Sequence, residues 1–228
     1  MTEIELSLKV IRAVVFDFDG VLAESVDIKT RAYAILFKEE DQEDVDEFIG
    51  FHLKNGGISR FEKIKFFYRD ILHRPLSEKK FQGLCAQYSR LVVDEVVAAP
   101  WVDGAQKFLT LNKKKYTFAV ISGTPEGEIR EIILRRGMHH FFNSVRGSPK
   151  SKVILLGEMM DEYNLKPDEI VFVGDSETDW FAAKETGIPF LWRSVSAETL
   201  PPHGYVGPSL SSLSELEVNL KNSVSHYF

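Results

Sequence analysis

The chain has 228 residues, 44% hydrophobic and 27% charged, the balance of a globular protein that can bury a core without staples. A net charge of −6 argues against general nucleic-acid binding, and the one cysteine, Cys85, excludes an internal disulfide and fits a reducing compartment. No apolar run approaches the ~20 residues of a membrane span, and no leader pattern opens the chain, so a soluble cytoplasmic protein is expected.

The first predicted element is a buried parallel strand over residues 13–16, an unbroken apolar run. It leads into Asp17-Phe18-Asp19-Gly20-Val21-Leu22. Side chains alternate along a strand, so Asp17 and Asp19 share one face and Phe16 and Phe18 the other. Two carboxylates aimed at one point repel each other, which predicts a cation between them, a hard metal with oxygen ligands. Gly20 permits the turn that follows.

Residues 25–97 contain no convincing strand. The acidic stretch 39–47 reads as a solvated connection. Asn55-Gly56-Gly57-Ile58-Ser59-Arg60 places adjacent glycines before a capped helix start. Phe61, Ile64, Tyr68, Ile71 and Leu72 follow helical spacing, as do Phe81, Leu84, Cys85, Tyr88, Leu91 and Val92, with Ser77 as a cap. This is an all-helical insert. Pro100 and Gly104 bracket the return to the rest of the chain. Lys113 to Lys115 reads as a solvated turn.

From there strands alternate with helices: strands over 116–121, 170–173 and 188–192, helices over 126–136, 152–163 and 178–186. Thr124 and Pro125 read as a helix start, and Gly137 and Gly187 as terminators. That order predicts a parallel sheet covered by helices on both faces. His139 and His140 read as decoration of a helix end, and no histidine has zinc-ligand spacing.

Ligands of open parallel sheets bind beyond the carboxyl ends of the strands. Four polar positions fall there: the Asp17/Asp19 pair, Ser122, a lysine (Lys150 or Lys152, with Lys152 preferred), and Gly174-Asp175-Ser176-Glu177-Thr178-Asp179. Together they suggest phosphoryl transfer. One carboxylate attacks phosphorus and the other moves protons. Mg²⁺ screens the meeting of two anions, with Asp175 and Asp179 completing its shell. Ser122, the lysine and backbone N–H groups near Gly20 and Gly123 hold phosphate oxygens.

These motifs, in this order and with a helical insert after the first, resemble the haloacid dehalogenase-like superfamily, more narrowly its phosphoglycolate-phosphatase and β-phosphoglucomutase branch. The resemblance covers almost the whole chain. It implies an α/β fold with a Rossmann-like parallel-sheet core over residues 1–24 and 98–228 and an all-helical cap over 25–97. It implies Asp17 as nucleophile, Asp19 as acid and base, Lys152 at the phosphate, and Mg²⁺ held by Asp17, the Asp19 carbonyl, Asp175 and Asp179. The dehalogenases proper lack the second aspartate, so Asp19 favours phosphate chemistry. By the same resemblance Arg60 reaches the distal part of the substrate, and Lys29 lies on the first cap helix; two such cations suit a second anionic group.

The expected activity is a Mg²⁺-dependent phosphatase acting on a small phosphorylated metabolite through an aspartyl-phosphate, with no nucleic-acid or membrane partner. A phosphomutase of the β-phosphoglucomutase kind is the nearest alternative. A non-catalytic protein that binds or senses a phosphorylated metabolite is the alternative of another class.

Overall fold

Every residue of β1 (Ala13–Phe16) is apolar because both faces of the strand are covered. The computed structural model describes residues 10–195 and 200–222. Beside β1 lie β2 (Thr117–Pro125) and β4 (Ile170–Gly174), with Val14 in register with Phe118 on one side and Val171 on the other. The sheet is completed by β3 (Ser144–Ser148), β5 (Phe190–Arg193) and β6 (Ser209–Leu210) in the order β3-β2-β1-β4-β5-β6, all neighbours parallel. Alternation divides β1 between two cores: Val14 and Phe16 join one, Ala13 and Val15 the other.

Helices α5 (Ala105–Asn112), α6 (Glu126–Arg135), α7 (Lys152–Tyr163) and α8 (Glu177–Thr186) link the strands, and α9 (Leu216–Asn222) ends the described chain. The predicted strands and helices of this half are present, with no end displaced by more than four residues. Gly187 caps α8 in the left-handed region, at φ 71°. The predicted helix start at Thr124 is corrected: β2 runs through Pro125, and the Thr124 hydroxyl faces the site described below. Strands β3 and β6 carry too little apolar sequence to have been predicted.

The insert is helical: α1 (Val26–Leu36), α2 (Gln42–Lys54), α3 (Arg60–Phe66) running into a π-helical turn at Phe67–Ile71, then α4 (Glu78–Ala98). Ser77 caps α4 by accepting from the Lys80 amide. Of the acidic stretch 39–47 only residues 39–41 form a connection; from Gln42 onward it is the start of α2. Asp41 caps α2, and Val45, Phe48 and His52 form its buried stripe at helical spacing. The insert has an aromatic centre, with Tyr33, Phe37, Phe48, Phe67 and Tyr88 in ring contact. The chain enters and leaves it side by side: Ala23 bridges Trp101, Glu24 N–H donates to Pro100 O and Val102 N–H to Leu22 O. No helix among the described residues is long and apolar enough to cross a membrane.

Candidate active site

Asp17 follows β1 directly and keeps its backbone in the sheet, its N–H donating to Val173 O at 2.9 Å. The chain then turns through Gly20, whose φ is 74° and where a Cβ would collide with Asp175 Oδ2. The two aspartates therefore come to unlike surroundings. Asp17 is buried, and its Oδ1 lies 3.0 Å from Lys152 Nζ but off line for a hydrogen bond, so that this buried oxygen accepts none. Burial, reinforced by Asp179 and Asp19 and opposed by Lys152, pushes the Asp17 carboxyl up to about 7. Asp19 faces donors. Lys29 Nζ hydrogen-bonds its Oδ2, Ser25 Oγ donates to Oδ1 at 2.6 Å, and Thr124 Oγ1 donates to Oδ2 at 3.3 Å. Burial works to raise Asp19, but Lys29, Ser25 and Thr124 outweigh it and hold the carboxyl below its ordinary value.

The preference for Lys152 over Lys150 matches the geometry. Lys150 is exposed and pairs with Glu158 at 2.5 Å. Lys152, the first residue of α7, is buried against Asp17 and lies 2.5 Å from Asp179 Oδ1. Despite burial, these two carboxylates raise the Lys152 ammonium above its ordinary value. Asp179 is fully buried in the first turn of α8, where its Oδ2 accepts from Ser176 N and Ser176 Oγ. Both of its oxygens are thus engaged, and it fixes Lys152.

One oxygen each of Asp17, Asp175 and Asp179 lies within 4.8 Å of the others. Burial and the neighbouring Asp17 and Asp179 raise Asp175 well above its usual range. Crowded carboxylates, with a buried oxygen that lacks a hydrogen bond, fit a hard divalent cation with oxygen ligands. The Asp19 carboxylate is not in this group; Lys29 neutralises it.

Ser122 is buried within β2, three residues before the strand ends, and its Oγ accepts from Thr124 N at 3.1 Å. Gly123 meets the insert directly: a Cβ there would strike the carbonyl of Gly57. A Cβ on Gly57, at φ 73°, would strike Thr178 Oγ1, and Thr178 donates to Gly56 O at 2.9 Å. The Gly56-Gly57 loop is seated on the strand ends, backbone to backbone. Beneath it lies a cavity of about 680 Å³ whose lining includes Asp17, Asp19, Lys29, Arg60, Thr124 and Asp175. Arg60 lines this cavity but is buried and committed: it forms a two-pronged pair with Glu128 of α6, donates to Ser89 Oγ at 2.6 Å, and lies 4.6 Å over the Tyr88 ring.

Sequence reasoning missed Ser25, His52, Lys63 and Glu128 as residues of this region, and read Thr124 only as a cap. Thr124 stands two residues after Ser122, the one signal that could have marked it.

The family model of the haloacid dehalogenase-like hydrolases matches residues 14–193. The chain belongs to that family. A phosphorylated carbohydrates phosphatase of Thermotoga maritima is 22% identical over 190 residues, 80% of this chain and 85% of that protein. A phosphoglycolate phosphatase of Aliivibrio fischeri is 24% identical over 190 residues, 78% of this chain and 81% of that one. In structure, Rhodobacter sphaeroides CbbY, a variant in complex with xylulose-1,5-bisphosphate, aligns with a TM-score of 0.69 at 20% identity, over 90% of this chain and 96% of that one. The family and these relatives place the chain among the phosphoric monoester hydrolases, with the α/β core and inserted helical cap that the sequence implied.

Proposed function

We propose that the chain is a Mg²⁺-dependent phosphatase that hydrolyses a small phosphorylated metabolite through a phosphorylated Asp17. The observation that carries this reading is the unlike state of two aspartates two positions apart: Asp17 has a buried oxygen that accepts no hydrogen bond and lies 3.0 Å from the Lys152 ammonium, and Asp19 is held by hydroxyls and an ammonium. The relatives that act on phosphorylated carbohydrates and on phosphoglycolate support the substrate class. The core is taken as residues 1–24 and 98–228 and the cap as 25–97.

Asp17, the Asp19 carbonyl and Asp175 would hold Mg²⁺, with Asp179 at its margin; when bound, the ion offsets the charge of carboxylate and phosphate as they meet. An Asp17 oxygen attacks phosphorus and the ester P–O bond breaks. The leaving oxygen takes a proton from Asp19. Water then attacks the phosphorylated Asp17, gives its proton to Asp19, and the acyl P–O bond breaks to release phosphate. Asp19 must carry a proton for the first step, yet Lys29 holds it ionised. The incoming phosphate competes for the Lys29 ammonium, and loss of that partner lets the Asp19 carboxyl rise and hold a proton. Lys152, Ser122 and the Gly123 backbone N–H steady the phosphoryl oxygens. The seated cap loop excludes bulk water while this happens.

The test is phosphate release from a panel of phosphate esters with and without Mg²⁺. Wild type is expected to require the metal. Asp17→Asn is expected to lose at least ~10³-fold in kcat while its circular dichroism stays unchanged. Appreciable residual turnover would remove Asp17 from the nucleophile's role. Isomerised sugar phosphate in place of free phosphate would make the enzyme a mutase.

A further inference from the structure

The cavity contains a cation that the proposed reaction does not use. Lys63, in α3, lines the same cavity as Asp17 and is 3% exposed. The other buried or half-buried cations near it are matched by carboxylates: Lys29 by Asp19, Lys152 by Asp17 and Asp179, and Arg60 by Glu128. Among the described residues Lys63 has no carboxylate partner. Its Nζ contacts His52 alone, at 2.8 Å to Nδ1 and 3.3 Å to the carbonyl oxygen.

The hydrogen bonds around His52 define its role. Thr30 Oγ1 donates to Val26 O at 3.1 Å, so its contact at 3.1 Å with His52 Nε2 leaves Thr30 as acceptor and Nε2 as donor. Nδ1 is then the unprotonated nitrogen, which accepts from the Lys63 ammonium. Burial first, then Lys63 and Lys29, depress the imidazole to about 3, so it stays neutral at working pH and adds no charge. Thr30 and His52 thus orient a buried ammonium without neutralising it. Leaving a cation buried and unpaired is expensive, and an anionic ligand removes that expense.

We propose that Lys63, positioned by His52 and Thr30, determines specificity by binding a second anionic group of the substrate. This rests on the phosphatase reading above. The substrate class is then a phosphate monoester with a carboxylate or second phosphate at its far end. Arg60, which the resemblance placed at that end, lines the same cavity with its guanidinium paired to Glu128 of α6.

The experiment compares wild type with Lys63→Met and His52→Gln on three kinds of ester. One carries a carboxylate (phosphoglycolate), one a second phosphate (a sugar bisphosphate), and one has no second anion (p-nitrophenyl phosphate and a hexose monophosphate). Wild type is expected to favour at least one doubly anionic kind by tenfold or more in kcat/KM, and the favoured kind identifies the group bound. Lys63→Met is expected to raise KM for that kind at least tenfold, with kcat/KM for p-nitrophenyl phosphate within twofold of wild type. His52→Gln, which keeps an acceptor near Lys63 but alters its placement, should give a smaller KM rise of the same pattern. Equal losses on all esters, or a wild type without preference for a second anion, would overturn the proposal while leaving the phosphatase intact. Absence of Mg²⁺-dependent hydrolysis of every ester would instead overturn the underlying reading. If Lys63→Met fails to fold, competitive inhibition of wild type by non-hydrolysable dianions and monoanions decides: equal inhibition by both overturns it.

Discussion

Asp17 and Asp19 differ by one intervening residue, yet their carboxyls are displaced in opposite directions, one by burial and the other by donors. The pair was legible as a pair because an apolar strand delivers it. The resemblance also implied their unequal roles, but not the donors that hold Asp19, because Lys29 and Thr124 come from α1 and the end of β2. Lys63 was hidden for the same reason. In the sequence it is one lysine on a charged helix; the structure buries it against His52 of α2. Burial, then repulsion from Lys29, lowers its ammonium to about 7 from the ordinary 10.5. Below pH 7 both folded and unfolded states carry the charge, and the folded state bears the full penalty. Between about 7 and 10.5 the unfolded chain binds more protons, so this group's contribution to stability improves as pH rises across that window. Lys63→Met is accordingly expected to stabilise the free protein more at pH 6.5 than at pH 10. Urea denaturation at the two pH values checks this, and an equal gain at both would place the Lys63 charge in water.

Among the elements, the alternating half of the chain was readable because its strands are apolar runs and its helices have stripes and caps. β3 escaped because it is an edge strand whose sequence, Ser144-Val145-Arg146-Gly147-Ser148, has one large apolar residue, its arginine paired with Glu158 and Glu162 of α7. α2 escaped because acidic residues outnumber the three-residue stripe that buries it. Two glycines in the insert have opposite meanings. Gly50, inside α2, has open space where a Cβ would be added, with nothing within 4 Å, whereas Gly57 holds φ 73° against Ser176 and Thr178. Gly50→Ala is expected to stabilise by about 0.5–1 kcal/mol with activity unchanged, since it replaces a flexible residue in a helix. Gly57→Ala is expected to lower kcat/KM by ~100-fold, because the loop cannot regain its seat and the reacting groups are displaced. Thermal melts and steady-state kinetics on both variants check the contrast; similar activity in the two would mean that the loop's seat does not matter to turnover.

At the scale of the molecule, a deeply buried ion pair away from the aspartates joins the cap to the core. Arg60 and Glu128 have side-chain exposures of 3% and 9%. Removing one partner strands a buried charge, so Arg60→Met and Glu128→Leu are each expected to cost about 3–5 kcal/mol in stability. The double variant is expected to cost much less than their sum. A double-mutant cycle by chemical denaturation measures the coupling, and additive losses would show the two groups to be independent. The fold class and inserted cap were legible in the order of motifs along the chain. This pair was not, since its members lie on α3 and α6, and only the packing of the cap on the core brings them together.

The crossing at Ala23 and Trp101 has a further meaning. Because the outgoing and returning chain are bonded to each other there, the four helices between them form, topologically, one long loop closed at its base. A loop closed at its base can lengthen, shorten or be exchanged without altering strand register, because its closure entropy changes only slowly with length. The sheet keeps the Asp17 backbone bonded to Val173 whatever hangs from that crossing, while the Lys29 that holds Asp19 and the glycine loop seated on the strand ends belong to the pendant segment, so a replacement segment on the same crossing would give the same nucleophile a different clientele only if it supplied their equivalents.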